Sequence, residues 1–131
     1  MPKYNFPKSA KLTSKYDFRA ILEHKLFAKN NLMTLYMTPN NASTARFAVS
    51  ISSKTAPAVV RNRLKRLARE AFRLSRHTIP DNFDYLIIFS RLLSKVKSCD
   101  IKKLSLSQVR DSFLELVRQG QKLLEKRQDK N

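Results

Sequence analysis

A single glycine, Gly120, occurs among the 131 residues of this chain. Glycine-rich loops that cradle phosphate, such as the Walker loop and the G-x-G-x-x-G turn of dinucleotide-binding folds, need several glycines. Only a residue without Cβ lets the backbone approach a phosphate so closely. The sequence therefore excludes the common nucleotide-binding folds.

The chain is strongly basic, with 27 Lys and Arg against 10 Asp and Glu and a formal net charge of +17. This charge suits a polyanionic partner, either a nucleic acid or an anionic membrane surface. No apolar run approaches the roughly 18 residues of a membrane span, and the start of the chain lacks the apolar segment of a secretion signal. The lone Cys99 excludes an intramolecular disulfide and suits a reducing compartment. We expect one cytosolic domain over residues 1–131, with frayed tails at about 1–10 and 125–131.

Hydrophobic periodicity predicts the element order α, β, β, β, α, β, α. The first helix is capped by Thr13 or Ser14, and the last by Ser105 or Ser107. Strands are predicted at residues 26–28, 32–37, 46–52 and 85–89, and the last of these has the continuous apolar character of a strand buried on both faces. This order indicates an α+β sandwich of helices against a small sheet.

Alternation assigns the faces of two strands. In the earlier strand, Met33, Leu35 and Met37 share one face, and Leu32, Thr34 and Tyr36 share the other. In the later strand, Phe47, Val49 and Ile51 face the core, and the opposite face carries the small residues Ala48, Ser50 and Ser52. Contact with solvent is the simpler interpretation of that small polar face, although it also leaves room for an extended ligand.

Residues 59–76 form the most strongly patterned segment, an amphipathic helix. Its predicted apolar stripe consists of Val60, Leu64, Leu67, Ala71 and Leu74, and its opposite side carries Lys65, Arg66, Arg69, Arg73 and Arg76. Seven cations and one acid, Glu70, lie between Arg61 and Arg76. This ratio favours an external polyanion over ion pairs within the helix, and a solvated charged face is the alternative.

Candidate catalytic groups are sparse. The two histidines, His24 and His77, are far apart in the sequence, and Cys99 has no histidine near it. Ordinary turn and ion-pair roles account for the carboxylates. From the residues alone we therefore predict no protein-based catalytic centre and no metal site.

The run AVVRNRLKRLAREAFR at residues 58–73 resembles the Arg-Asn-Arg signature helix of the protein subunit of bacterial ribonuclease P. The resemblance extends to Asp17-Phe18 in the first helix, to the strand around Tyr36, and to residues 46–52 and 85–88. It implies a two-layer α/β sandwich with a four-stranded sheet and an unusual left-handed βαβ crossover, a ribosomal protein S5 domain 2-like arrangement.

The function implied by the resemblance is that of an RNA-binding subunit without catalytic residues of its own. Such a subunit assists a catalytic RNA in removing the 5′ leader from precursor tRNA, and Mg²⁺ is held mainly by the RNA. The expected partners are ribonuclease P RNA and the leader, without a membrane or a small-molecule cofactor. Two other classes remain open: a basic ribosomal-type structural protein, and a stand-alone nuclease that uses His24 or His77.

The resemblance also implies two sets of site residues. The set expected to contact the catalytic RNA is Lys54, Arg61, Asn62, Arg63, Lys65, Arg66, Arg69 and Arg73. The set expected to bind the single-stranded leader is Phe18, Thr34, Tyr36, Arg46, Ala48, Ser50 and Ser52. Within the second set, an aromatic ring can stack on a base with a contribution of about 1 to 3 kcal/mol.

Two segments depart from the family pattern. Residues 53–57, Ser-Lys-Thr-Ala-Pro, have one lysine and no glycine where paired lysines and a glycine are common. We therefore expect a stiffer loop with fewer phosphate contacts. Leu22 stands where an aromatic residue is frequent, so we expect weaker stacking at that end of the leader cleft.

Overall fold

The computed structural model describes residues 15–40, 44–96 and 98–129. Within these ranges the elements are α1 (Lys15–His24), β1 (Phe27–Lys29), β2 (Met33–Pro39), β3 (Arg46–Ser50), α2 (Ala58–Ser75), β4 (Phe83–Phe89), α3 (Ser98–Lys102) and α4 (Leu106–Asp129), with a 3₁₀ helix at Arg91–Lys95. The predicted order is confirmed, except that the 3₁₀ helix and α3 were not predicted because five residues are too few to show helical periodicity. Thr13, Ser14 and the predicted frayed start lie outside the described residues.

The four strands form one mixed sheet in the order β1-β2-β4-β3. β2 pairs antiparallel with β1 and with β4, whereas β3 and β4 are parallel. Because α2 joins the two parallel strands, β3-α2-β4 is a βαβ crossover, and its left-handedness stays a prediction. The α+β class with a small four-stranded sheet is confirmed.

One face of the sheet packs against α2 and α4 and forms the main core. Phe72 of α2 stacks on Phe47 of β3 with ring centroids 4.7 Å apart, and Phe113 of α4 meets Phe47 edge-on at 6.3 Å. Tyr85 of β4 is buried beside Phe72 and Phe113, and its hydroxyl donates to the Pro80 carbonyl at 2.7 Å. Burial in this aromatic cluster raises the pKa of Tyr85.

The buried stripe of α2 differs in part from the prediction. It consists of Val60, Leu64, Ala68, Ala71, Phe72 and Ser75. Leu74 was expected in this stripe but is 39% exposed, because Phe72 occupies the core side of the last turns. No helix in the described parts of the chain is long and apolar enough to cross a membrane.

The opposite face of the sheet is partly covered by α1. Ile21 of α1 is fully buried and packs with Ala48 and Leu86, while Tyr36 and Ile88 contact this cluster from the side. Ala48 is therefore only 8% exposed. The expectation of an open face at Ala48 is wrong, because α1 lies across the sheet at this position.

The last turns of α4 hold the end of α1. Arg127 donates from Nη1 to the His24 carbonyl at 3.1 Å and from Nη2 to the Lys25 carbonyl at 2.7 Å. Carbonyl groups at a helix C-terminus lack partners within the helix, so a cation here is favourable. Lys25 has φ 59°, the left-handed conformation that commonly ends a helix. Residues 125–129 were predicted to belong to a frayed tail, but they continue α4.

The N-terminus of α4 is capped as predicted by Ser105. The Gln108 backbone N–H donates to Ser105 Oγ at 3.2 Å, and the Ser105 N–H donates to Gln108 Oε1 at 2.8 Å. This reciprocal arrangement is a capping box.

Candidate nucleic-acid interface

The exposed side of α2 carries an open groove of about 700 Å³, which we term the cationic groove. It is lined by Asn62, Lys65, Arg66, Arg69 and Glu70. Steps of three and four residues bring these side chains to one side of the helix. With three cations and one carboxylate, the groove suits phosphate oxygens, which arginine can bind through two hydrogen bonds at once.

Arg73 was expected to contact RNA, but it is engaged within the helix. Its Nη2 lies 2.7 Å from Glu70 Oε2, and its Nε donates to the same oxygen at 3.1 Å. This pair offsets one positive charge of α2 and also occupies the carboxylate of the groove. The remaining positive charge of the groove therefore comes from Lys65, Arg66 and Arg69.

The two arginines of the Arg-Asn-Arg motif contact the protein backbone. Arg61 Nε donates to the Ala56 carbonyl at 3.1 Å, and Arg63 Nη2 donates to the Leu104 carbonyl at 3.0 Å. Both side chains are half-buried, whereas Asn62 between them is exposed. The motif thus combines one exposed amide with two guanidinium groups that fix the segments before α2 and before α4.

The second candidate site, which we term the sheet surface, is the face of the sheet opposite the main core. Strand pairing places three rows on this face: Thr34, Ile88 and Ser50; Tyr36, Leu86 and Ala48; and Thr38, Asp84 and Arg46. Five of the residues expected to bind the leader therefore share one face. Alternation predicted the grouping within each strand, and the resemblance implied that both groups belong to one surface.

Accessibility varies across the sheet surface. Ser50 is exposed, and Thr34 and Tyr36 are half-buried. Ser52 follows β3, and its Oγ accepts from the backbone N–H of the exposed Lys54 at 3.2 Å. Phe18 lies on α1, but its side chain is outside the described part of the chain. The accessible centre of the surface is therefore the row of Thr34 and Ser50 together with Tyr36.

One end of the sheet surface is closed by an ion pair. Arg46 donates from Nε to Asp84 Oδ1 at 2.8 Å and from Nη2 to Asp84 Oδ2 at 2.7 Å. Asn40 Nδ2 also donates to Asp84 Oδ1 at 2.6 Å. Asp84 is 5% exposed, so the bidentate contact compensates a buried carboxylate. Arg46 was expected to bind the leader, but its guanidinium serves this internal pair.

At its other end the sheet surface continues into a groove that sequence reasoning missed. This groove of about 510 Å³ begins at Thr34 and Ile88 and is also lined by Lys29, Asn30, Asn31, Phe89, Ser90, Arg91 and Leu92. Lys29 and Arg91 give it two further positive charges. The alternation of side chains along β1 could have indicated that Lys29 lies on this face. No such pattern was available for Arg91, which lies in the unpredicted 3₁₀ helix.

The chain matches the family model described as Ribonuclease P over residues 6–126. It belongs to the ribonuclease P protein family. The ribonuclease P protein component of Petrotoga mobilis is 33% identical over 114 residues, which are 86% of this chain and 92% of the relative. That of Clostridium kluyveri is 39% identical over 83 residues, 63% of this chain and 74% of the relative.

Solved ribonuclease P proteins share this fold. The protein from Thermotoga maritima aligns with a TM-score of 0.72 and 27% identity, covering 83% of this chain and 96% of that one. The Staphylococcus aureus protein has a TM-score of 0.70 at 22% identity, covering 85% and 94%, and supports the fold alone. The resemblance carried by residues 58–73 is thus confirmed.

Family membership decides between the function classes that the sequence left open. The ribonuclease P protein family is the protein subunit of a bacterial endoribonuclease complex. This class is favoured over a ribosomal-type structural protein.

The described residues of this ribonuclease P protein contain no group of three or more His, Cys, Asp or Glu side chains that could hold a metal ion. The carboxylates of Asp84 and Glu70 are both engaged by arginines.

Proposed function

We propose that this protein binds the catalytic RNA of ribonuclease P through the cationic groove and the 5′ leader of precursor tRNA through the sheet surface. The observation that carries the proposal is the presence of two surfaces with different chemistry. One is a groove of cations on a single helix, and the other is a sheet face of small and hydroxyl-bearing residues beside an aromatic ring.

In the cationic groove, Arg66 and Arg69 would contact phosphates of the folded RNA, and Lys65 would add positive charge. Asn62 is exposed and offers both a donor and an acceptor to a base or a ribose. Arg61 and Arg63 would shape the groove through their backbone contacts. Lys54, on the loop before α2, and Arg73 would contribute less directly to binding of the catalytic RNA.

On the sheet surface, an extended single strand can lie over Thr34 and Ser50 because their side chains are short. Their hydroxyl groups can both donate to and accept from the strand. Tyr36 would stack on a base, and Phe18 of α1 stays an expected leader-binding residue from the family resemblance. Ala48 and Arg46 would support the surface from beneath and from its end, while Lys29 and Arg91 would contact leader phosphates.

We assign the chemical step to the RNA, with Mg²⁺ bound mainly by RNA phosphates. The arginine-bound carboxylates of Asp84 and Glu70 support this assignment. The protein would raise the affinity of the complex for precursor tRNA and help the RNA to retain Mg²⁺ at cellular concentrations. We place this activity in the cytoplasm, where precursor tRNA is made.

The test is cleavage of precursor tRNA at low Mg²⁺ by the protein alone, by a bacterial ribonuclease P RNA alone, and by both together. Mapping of the 5′ ends should show the mature end only in the combined reaction. Cleavage by the protein alone would reveal a missed active site. If the protein did not stimulate cleavage by a compatible, folded RNA, the proposed function would be wrong.

The matched variants for this test are Arg66→Ala and Lys122→Ala. Both remove an exposed cation from a helix, but Lys122 lies on α4, away from the cationic groove. Stimulation should fall for Arg66→Ala and persist for Lys122→Ala. Equal losses would mean that net charge, and not the groove, carries the RNA contact.

A further inference from the structure

Phe27 extends the sheet surface onto the edge strand β1. Phe27 pairs with Tyr36 in the register of β1 and β2, and Lys29 pairs with Thr34. Along β1 the exposure alternates, with Phe27 and Lys29 exposed and Ala28 buried. Phe27 and Lys29 therefore project from the same face as Tyr36 and Thr34.

The rings of Phe27 and Tyr36 form an aromatic pair. Their centroids are 5.4 Å apart, and the ring planes are tilted by 38°. Tyr36 is half-buried against the cluster under α1, whereas Phe27 is 42% exposed. The pair thus presents a second ring to solvent, next to the ring already assigned to base stacking.

We propose that Phe27 and Lys29 form a further nucleotide-binding position for single-stranded RNA, with a base on the Phe27 ring and a phosphate at Lys29. This position rests on the proposed function of the sheet surface and lengthens that surface by one strand. It also gives the surface an exposed aromatic ring.

The chemistry of the surroundings favours RNA as the occupant. Lys29 stands two residues beyond Phe27, about 6.7 Å along an extended strand, so a lysine side chain can reach a phosphate beside a stacked base. Lys29 and Arg91 line the groove that continues from Thr34. An exposed ring flanked by cations is the combination that binds single strands through stacking and charge together.

The experiment compares Phe27→Leu, Phe27→Tyr, Lys29→Ala and Tyr36→Ala in the complete ribonucleoprotein. Leucine keeps an apolar side chain against Tyr36 but cannot stack on a base, and tyrosine restores the ring. Leu123→Ala, at a residue of similar exposure on α4, is the control. Affinities are measured for precursor tRNA and for mature tRNA, and 2-aminopurine is placed at successive leader positions to report stacking.

Phe27→Leu should weaken binding of precursor tRNA by about 5- to 150-fold, the range expected for one lost stacking contact. Binding of mature tRNA should be unchanged, and Phe27→Tyr should restore the affinity. The 2-aminopurine signal should change at one leader position, different from the position affected by Tyr36→Ala. Lys29→Ala should weaken leader binding and reduce its salt dependence.

The outcomes separate this position from the proposed function. If Tyr36→Ala weakens leader binding but Phe27→Leu binds like the unaltered protein, the edge position is wrong and the sheet surface stands. If neither variant changes leader binding, then both the edge position and the proposed leader-binding role of the sheet surface are wrong. A loss for Phe27→Leu that is equal for mature tRNA, or that follows a lower thermal unfolding temperature, would assign Phe27 a structural role instead.

Discussion

The cationic groove and the sheet surface are assembled over very different distances along the chain. All five residues that line the groove lie between Asn62 and Glu70 on one helix. The sheet surface combines Thr34 and Tyr36 with Ser50 from β3, and α1 beside it is held by Arg127 from α4. The groove therefore needs one folded helix, whereas the sheet surface needs the complete tertiary structure.

Because of this difference, substitutions on the two surfaces should have different effects on folding. A change in the groove removes an exposed side chain with few internal contacts, so it should alter RNA affinity without altering folding. A change in the sheet surface should alter folding as well wherever the residue also serves an internal contact. Arg66 and Arg46 represent the two cases.

The largest effect is expected for Arg46→Ala. The substitution leaves the Asp84 carboxylate buried without its bidentate partner, and the free energy of unfolding should fall by about 3 kcal/mol. Urea denaturation measures this loss. The double variant Arg46→Ala with Asp84→Asn should recover part of it, because a neutral amide is less costly to bury than a carboxylate.

The same variant also tests whether Arg46 binds RNA directly. If Arg46→Ala loses less than about 0.5 kcal/mol, the range of ordinary surface substitutions, yet weakens leader binding, Arg46 is a ligand of the leader. The sheet surface would then resemble the groove in having a cation available for RNA.

The second expected effect is on the salt dependence of RNA affinity. Arg66→Ala combined with Arg69→Ala should reduce the slope of log affinity against log salt by about 1.4 to 1.8, which corresponds to two lost phosphate contacts. The free energy of unfolding should change by less than about 0.5 kcal/mol. The test is the affinity for the catalytic RNA measured at several salt concentrations, with Lys122→Ala as the control. Unchanged slopes would place the groove outside the RNA interface.

The same contrast explains how much could be predicted from the sequence. Alternation correctly placed Thr34 with Tyr36 on one face of β2 and Ala48 with Ser50 on one face of β3, because side-chain direction in a strand follows from local geometry. The helical stripe likewise placed Arg66 and Arg69 on the exposed side of α2. These are local properties of one element.

Long-range pairing could not be predicted in the same way. The acceptors of Arg63 and Arg46 are Leu104 and Asp84, which are separated from them by 41 and 38 residues. Ala48 is buried because Ile21 of α1 packs against it from a distant part of the chain. Neither composition nor periodicity indicates where such distant segments meet.

A smaller effect is expected at the contact between α4 and β2, the strand that carries Thr34 and Tyr36. A Cβ added at Gly120 would lie 2.5 Å from Met37 Sδ, and Met37 is buried. Gly120→Ala gains about 1 kcal/mol of helix propensity but overpacks the core at a cost of about 1 to 3 kcal/mol. We expect a net loss of about 1 kcal/mol in urea denaturation.

Gln119→Ala is the matched control, because Gln119 is exposed on the same turn of α4. The free energy of unfolding of the Gln119→Ala variant should change by less than about 0.5 kcal/mol. A Gly120→Ala variant more stable than the unaltered protein would mean that Met37 moves aside, so that the two elements are less tightly packed than their geometry indicates.

The smallest effect is expected at His24, which lies at the contact between α1 and α4 beside the sheet surface. Burial, and then the positive charge of Arg127, lower the pKa of His24 from its usual 6.5. A histidine with a lowered pKa binds fewer protons in the folded than in the unfolded protein, so the free energy of unfolding should decrease as the pH falls below about 6.5. The decrease ends below the folded-state pKa, where both states are protonated.

Two variants test this dependence on the contact between α1 and α4. Unfolding measured between pH 7.5 and 5.5 should show a weaker pH dependence in His24→Asn, which has no imidazole to protonate. Arg127→Gln should raise the His24 pKa in an NMR titration, because the nearby positive charge is removed, and it should loosen α1 over the sheet. Leader binding should then weaken while the salt dependence of binding to the catalytic RNA stays the same. If both interactions weakened together, the two surfaces would be coupled through the fold, and the separation between a local groove and an assembled surface would fail.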